Sequence, residues 1–334
     1  MNKRTLRADI LLLITAGIWG FGFVAQRSGM LFTGPFAYNG IRFIIGSLSL
    51  LPLILIQKKF FNTKTKPQKY HLYTFSLASG SCMFIAVILQ QFGILFTTAG
   101  KAGFITGLYV TLTPIFGIFL GRKTGKGTWF GSLFTLAGLF FVCNITSFDS
   151  INPGDIIMVI SAAFWAYHVL LIDKFVKTVN PIALSSGQFA VCGLLSLAGA
   201  FLAEPYIKDL VIWYNPVLFN KGEFDWLPFP ALIKGIADST FIISIDSLIP
   251  ILYGALASVG IAYTLQSVAQ RDAPPAHAAI ILCFEGCFAA LGGAIILNEK
   301  LTAFTFIGFA LMLCGMLISQ WEVFKKNYMS KNKP

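Results

Sequence analysis

Acidic residues are scarce in this chain of 334 residues: 14 Asp and Glu stand against 25 Lys and Arg, and charged side chains of either sign make up only 12%. With so little charge and 56% hydrophobic residues, the chain cannot cover a water-facing surface, which excludes an ordinary soluble domain. Histidine is scarcer still, with only His71, His168 and His277. A membrane-embedded enzyme, such as an acyl or phosphate transferase working at the outer face, needs His, Asp, Ser or Cys gathered at one membrane depth, and the topology read below puts no histidine among acids on the outer side, so an enzyme is the less favoured reading. No Walker motif is present, which removes direct ATP drive. The six cysteines, Cys82, Cys143, Cys192, Cys283, Cys287 and Cys314, sit inside apolar segments without CxxC spacing or His partners. They indicate no disulfide framework, no metal site and no cofactor. A net charge of +11 raises nucleic acid as a partner, but the basic residues occupy short turns between apolar runs rather than one patch interleaved with aromatics, and nucleic acid is set aside.

What the chain has instead is long hydrophobic runs, with a mean hydropathy of +0.75. We expect an all-α polytopic membrane protein with ten transmembrane helices, at about Ile10–Gln26, Phe36–Ile56, Leu72–Phe96, Ala102–Gly121, Thr128–Asn144, Asp155–Ile172, Leu184–Leu202, Ser247–Val268, Ala276–Leu297 and Thr302–Gln320. Pro114, inside the fourth, is the clearest place for a kink. Alternating the loops puts eighteen of the 25 Lys and Arg residues on one side and six on the other, with Arg42 left inside the second helix. By the positive-inside rule both termini are cytoplasmic, in the cytoplasmic (inner) membrane of a bacterium. One outer loop is out of proportion: residues 203–246 carry Pro205, Pro216, Pro228 and Pro230 among Trp213, Tyr214 and Trp226, a composition suited to an interfacial cap. Within it, Phe229–Ile243 could form a short interfacial helix.

The two halves repeat each other. Trp19 pairs with Trp165, Pro35 with Pro181, Ala37 with Ala183 and Phe43 with Phe189 at one constant offset; Gly131 pairs with Gly308 and Gly138 with Gly315 at a larger one. We read residues 1–145 and 146–324 as repeats of five helices each, the outer loop absorbing the change of offset and 325–334 forming a basic cytoplasmic tail. An odd number of helices per repeat makes the second copy enter the membrane from the opposite side. That is the inverted-repeat architecture, in which a substrate site lies near the midplane and is exposed alternately to each side.

Glu285 stands alone in the ninth span, nine residues past Ala276 and so roughly 14 Å along a helix, near the middle of a ~30 Å hydrocarbon core. A carboxyl at that depth faces a bundle interior or water and marks a pathway, or bonds neighbouring helices as packing glue. Arg42 lies roughly 10 Å along the second helix from Pro35. It could bind an anionic substrate group, pair with Glu285, or reach back to the outer interface as an anchor. Trp19 and Trp165 occupy equivalent positions in the two repeats and suit stacking on a flat or cationic substrate, or closing a helix interface. His168 follows Trp165 by three residues on nearly the same face. Gln90, Gln91, Thr106, Tyr109, Tyr263 and Gln266 are polar groups within apolar helices that could orient a small polar ligand or bond neighbouring helices.

The residues Trp19-Gly20, Arg42-Phe43, AGFITGLYVTLTP from Ala102 to Pro114, FWAYHVLL in the sixth helix, and AAIILCFEG with the later Asn298-Glu299 resemble the drug/metabolite transporter superfamily, specifically its EamA-type ten-helix transporters. The resemblance covers both repeats and leaves out only the long loop. It implies a central cavity lined by helices 1 to 4 and 6 to 9, with helices 5 and 10 peripheral. Those two Gly-rich helices could serve internal packing or a homodimer. The family commonly carries Pro directly after the ninth-helix Glu, where this chain has Gly286.

The leading expectation is a secondary active transporter that moves a small polar organic metabolite, amino-acid-like or related, by alternating access, with Glu285 as proton acceptor if a proton gradient drives it. The alternative is a proton-independent exchanger. Some EamA-type carriers exchange S-adenosylmethionine for its demethylated product, and an aromatic pair with one acid would suit that sulfonium and adenine.

Overall fold

The computed structural model describes residues 3–30, 33–60, 69–96, 99–122, 124–142, 153–203, 206, 245–296 and 301–331. The interfacial helix considered over Phe229–Ile243, together with most of the long loop, lies outside these residues. The described chain forms α1 (Lys3–Gly29), α2 (Pro35–Ser49, continuing as Leu51–Phe60), α3 (Lys69–Ile94), α4 (Ala99–Gly107 and Tyr109–Phe119) and α5 (Lys126–Val142). A second set follows: α6 (Pro153–Phe175), α7 (Pro181–Leu202), α8 (Ile245–Leu252, Tyr253–Tyr263 and Thr264–Ala269), α9 (Pro275–Leu282 and Glu285–Ile296) and α10 (Ala303–Lys331). Among the described residues eight of these spans are long and apolar enough to cross a membrane, and Ala303–Ser319 is a shorter apolar helix. With α5 packed along α10, ten helices make up the bundle.

Burial runs opposite to that of a soluble protein. Phe119 is 83% exposed on the outside of the bundle while Gln91, Gln188 and Asn39 are fully enclosed. Lipid accepts the apolar exterior at no cost, and the polar groups are driven inward to find partners.

Local sequence sets where helices start and break. Pro35 and Pro181, the repeat-related prolines, both sit in the first turn, where a missing N–H costs nothing; the Asn180 side chain caps α7 by accepting from the N–H groups of Ile182 and Ala183 at 2.9 and 3.2 Å. In α2 the helix is interrupted at Leu50 because Pro52 has no N–H to give to Leu48. The kink expected at Pro114 is displaced. Pro114 lies inside a continuous helical segment, the carbonyl it leaves unbonded at Val110 accepts from Ser132 Oγ at 3.4 Å, and α4 breaks instead at Leu108.

α9 breaks at the corresponding place, at Cys283 and Phe284, so that Glu285 opens its second segment. The two interruptions are related by the internal duplication and lie against each other. A Cβ added at Gly103 would come within 3.1 Å of Gly286 Cα. Thus the helix is interrupted directly before Glu285 although Gly286 replaces the family's proline, and the glycine admits the close approach of α4.

Packing obeys the same pseudo-twofold relation. α1 lies on α9 as α6 lies on α4; α3 lies on α6 and α7 as α8 lies on α1 and α2; α2 pairs with α7 and α5 with α10. Gly131 sits against the backbone of Gly315 and Gly138 against that of Gly308, so α5 and α10 run antiparallel and their repeat-related glycines meet inside one chain. These are the contacts that two inverted five-helix repeats require.

Candidate functional site

The central pocket lies where α1, α3, α4, α6, α8 and α9 converge, beside the two helix interruptions. Of the residues singled out in the sequence, Trp19, Gln90, Thr106, Tyr109, Trp165, Tyr263, Gln266 and Glu285 line it. Its cavity measures about 30 Å³, so the walls nearly meet in this conformation.

Tyr263 stands between the two tryptophans. Its ring centroid is 4.4 Å from Trp19, tilted by 55°, and 5.9 Å from Trp165, nearly parallel at 19°. The two indoles are held by repeat-related elements: Trp19 Nε1 donates to the Ser258 carbonyl on α8 at 3.2 Å, and Trp165 Nε1 donates to Gln90 Oε1 on α3 at 2.7 Å. Gln90 Nε2 donates in turn to Gln26 Oε1 at 3.2 Å, tying α6, α3 and α1 together. Ser258 and Tyr263 are five residues apart, a spacing that places them on different faces of an α-helix. The π-helical stretch Tyr253–Tyr263, with more residues per turn, turns both toward the pocket.

Glu285 is 4% exposed and enters the pocket as the first residue of a helical segment, where backbone N–H groups favour an acidic group. Around it are Thr106 and Tyr109 from α4 and Gln266 from α8, each at most 3% exposed. Among the described residues the Thr106 hydroxyl, the Tyr109 hydroxyl and Gln266 Oε1 complete no hydrogen bond, although Tyr109 faces both Glu285 and Cys283. Three orphaned polar atoms beside one carboxyl make an arrangement ready to bond a ligand, because each costs free energy until it is paired.

Three sequence candidates lie elsewhere. Arg42 is outside the pocket and 2% exposed, so it does not extend to the interface, and it is not bonded to Glu285. Its Nε donates to Asn39 Oδ1 at 2.9 Å and its guanidinium lies over the rings of Tyr38 and Phe43 at 5.2 and 5.0 Å. His168 is fully buried behind Trp165, with Nε2 3.0 Å from Gln188 Oε1 and its ring edge-on to the indole at 5.7 Å. Gln91 points away from the pocket and donates to the Gln26 carbonyl at 3.4 Å. Sequence reading missed Gln26 and Ser258 as wall residues. Gln26 marks the end of an apolar run and reads as a boundary, while Ser258 reaches the pocket only through the π-helical turn.

A second opening lies on the side of the basic loops. Arg122, Lys177 and Arg271, from the α4–α5, α6–α7 and α8–α9 connections, line a vestibule of about 530 Å³, together with Pro114 and His277. Asp173 is held there by Arg122 and by Lys177, whose Nζ donates to Oδ1 at 2.9 Å. The loops that topology assigns to one side therefore converge on one face of the bundle.

Comparison with known proteins places this architecture. The model of the EamA-like transporter family matches residues 6–144 and 152–320. An uncharacterized transporter of Archaeoglobus fulgidus is 27% identical over 321 residues, covering 96% of this chain and 88% of the relative. The uncharacterized transporter YwfM of Bacillus subtilis is 22% identical over 319 residues, covering 93% of this chain and 92% of the relative. A solved structure titled only as the crystal structure of a protein shares the fold, with a TM-score of 0.69 at 14% identity, over 95% of this chain and 98% of its own. With both halves matched by the family model, the chain is a multi-pass membrane protein that belongs to the EamA-like transporter family.

Proposed function

We propose that this protein is a secondary active transporter that carries a small polar organic metabolite, amino-acid-like or related, across the cytoplasmic membrane by alternating access. Residues 1–145 and 146–324 act as the two moving repeats and the basic-loop side faces the cytoplasm. The single observation that carries the reading is the set of unpaired, buried polar atoms of Thr106, Tyr109 and Gln266 around Glu285, at the point where two repeat-related helices break. Broken helices at corresponding positions of inverted repeats are where such carriers bind substrate. Among the described residues the lining bears one acid and no Lys, Arg or His, so the pocket favours a substrate with a cationic group beside hydrogen-bonding groups.

Glu285 takes the coupling role. With no basic side chain among the described residues that line the pocket beside it, its charge is balanced either by a proton or by the substrate's cation, and competition between the two links transport to a proton gradient. Exchange without protons is the second reading, favoured by the rings of Trp19, Tyr263 and Trp165 gathered on the pocket wall, whose faces suit a flat ring such as the adenine of an S-adenosyl compound.

The deciding measurement is counterflow in proteoliposomes, screened over amino acids, nucleosides and S-adenosyl compounds with and without a pH gradient. Wild-type protein should accelerate at least one class, and Glu285→Gln should lose gradient-driven accumulation while still inserting. No acceleration in any class sinks the transport reading; undiminished accumulation by Glu285→Gln sinks the coupling role alone.

A further inference from the structure

Outside the central pocket and apart from the Asp173 cluster, the described residues gather a further set of titratable side chains. His277, in the first turn of α9, has Nε2 3.0 Å from Asp9 Oδ1 on α1 and Nδ1 3.0 Å from Ser319 Oγ on α10. Asp9 is 6%, His277 1% and Ser319 0% exposed. α1 belongs to the first half of the chain, α9 and α10 to the second, so the imidazole is a polar joint between halves. The order Asp, His, Ser matches that of a hydrolytic triad, but Ser319 Oγ is sealed in packing and no substrate carbonyl can reach it.

The donor and acceptor inventory restricts what this joint can do. An ionised carboxylate only accepts, so Nε2 carries a hydrogen toward Asp9. A serine hydroxyl both donates and accepts, and it rotates freely to do either. With a neutral ring, Ser319 donates to the bare Nδ1; with an imidazolium, the Nδ1 hydrogen is donated to Ser319 Oγ. Both protonation states keep both bonds, and Asp9 supplies the counter-charge for the second. His277 also lines the basic-side vestibule, which gives a proton a route in and out.

We propose that Asp9, His277 and Ser319 form a proton-binding site between the two repeats, separate from Glu285 and served by the basic-side vestibule. The ring takes up one proton from the vestibule side and releases it by the same path. The charged groups nearest it among the described residues come from several elements. Arg271 and Asp272 lie on the turn that leads into α9; across the vestibule are Arg122, Asp173 and Lys177, with the acid already bonded to both bases. Arg4 and Arg7 on α1 line the adjoining cavity with Arg271 and Asp272. α4 and α5 contribute the uncharged Thr113 and Thr128 to the same wall. Asp9 is thus the acid bonded to the ring. The site does not rest on the transport reading, since no substrate enters it.

The chain has three histidines, which makes a direct test practical. Full-length protein labelled with ¹⁵N-histidine in lipid nanodiscs is titrated from about pH 9 to pH 5, the range in which histidine changes charge, and His277→Gln identifies the signal. We expect the Nε2–H tautomer at high pH and a doubly protonated ring at low pH. In Asp9→Asn the titration of the same ring should differ from that of the wild type, with His71 unchanged, because the carboxylate bonded to it is gone. An Nδ1–H tautomer, a ring that stays neutral throughout, or an identical titration in Asp9→Asn overturns the proposal. If Asp9→Asn does not fold, the wild-type tautomer and titration decide it by themselves.

Discussion

Cys283 Sγ donates to the Gly107 carbonyl oxygen at 3.1 Å, bonding the interruption of α9 to the interruption of α4. The acceptor is free for it because the Thr111 N–H, which an unbroken helix would give to Gly107, bonds Leu108 instead. Cys283→Ala should therefore lower stability by about 1 kcal/mol, since it leaves a buried carbonyl unpaired, while Cys283→Ser restores a donor and most of the loss. Thermal unfolding in detergent micelles compares the two; equal losses in both variants would show that packing, not the hydrogen bond, matters at this joint.

The antiparallel glycine contacts of α5 and α10 make a steric prediction. A Cβ at Gly138 would lie 2.6 Å from the Gly308 carbonyl oxygen and 2.8 Å from the Met312 nitrogen, and one at Gly315 2.6 Å from the Gly131 carbonyl oxygen; the Met312 and Thr135 side chains, equally close, can turn aside, but the backbone atoms cannot. Gly138→Ala and Gly315→Ala should each cost about 1–3 kcal/mol by forcing the helices apart. Gly121→Ala is the control: it has open space around it and pays only for a φ of 72°. A melting temperature for Gly138→Ala equal to that of Gly121→Ala would contradict this packing.

The orphaned polar atoms of the pocket predict opposite effects on stability and function. Thr106→Val, Tyr109→Phe and Gln266→Leu each remove an atom that is buried without a partner, so each should leave stability unchanged or raise it by up to about 1–2 kcal/mol. The same variants should weaken counterflow, since those atoms are the ones a substrate would bond. Destabilisation without loss of counterflow would assign them to packing.

Asp173 is 1% exposed and held by two bases, of which Arg122 is 29% and Lys177 54% exposed. Removing either base should cost about 1 kcal/mol or less, because the other still pairs the carboxylate. Arg122→Ala with Lys177→Ala should cost more than the sum of the singles, about 3–5 kcal/mol, because a buried charge is then left alone. Unfolding of the four proteins in a double-mutant cycle measures that coupling, and strict additivity would show the carboxylate to be solvated.

Much of the architecture can be read without coordinates, and particular residues show why. The pairing of Trp19 with Trp165 and of Pro35 with Pro181 declares a duplication, and five spans per copy require inversion. The glycines Gly131, Gly138, Gly308 and Gly315 already carried the symmetry that brings α5 and α10 together. Glu285 was visible because one acid in a long apolar run is a local anomaly. Arg42 was equally visible, yet its partners were not. A guanidinium satisfied by Asn39 and two aromatic rings looks, in one dimension, the same as one aimed at a substrate.

Local pattern and topology were thus legible in the sequence alone: the apolar spans, their inversion, the basic turns gathered on one side, and the isolated acid within the ninth span. These properties depend on composition within about twenty residues, the length a helix needs to cross a bilayer. Only the tertiary structure decided which buried polar groups meet. Asp9 and His277 lie 268 positions apart, the break of α4 moved from Pro114 to Leu108, and Ser258 reached the pocket through a π-helical turn. Each of these depends on helix rotation and on the nearest available partner across an interface. In a lipid-embedded bundle every polar atom seeks such a partner, so the packing of distant helices, not local sequence, determines the site.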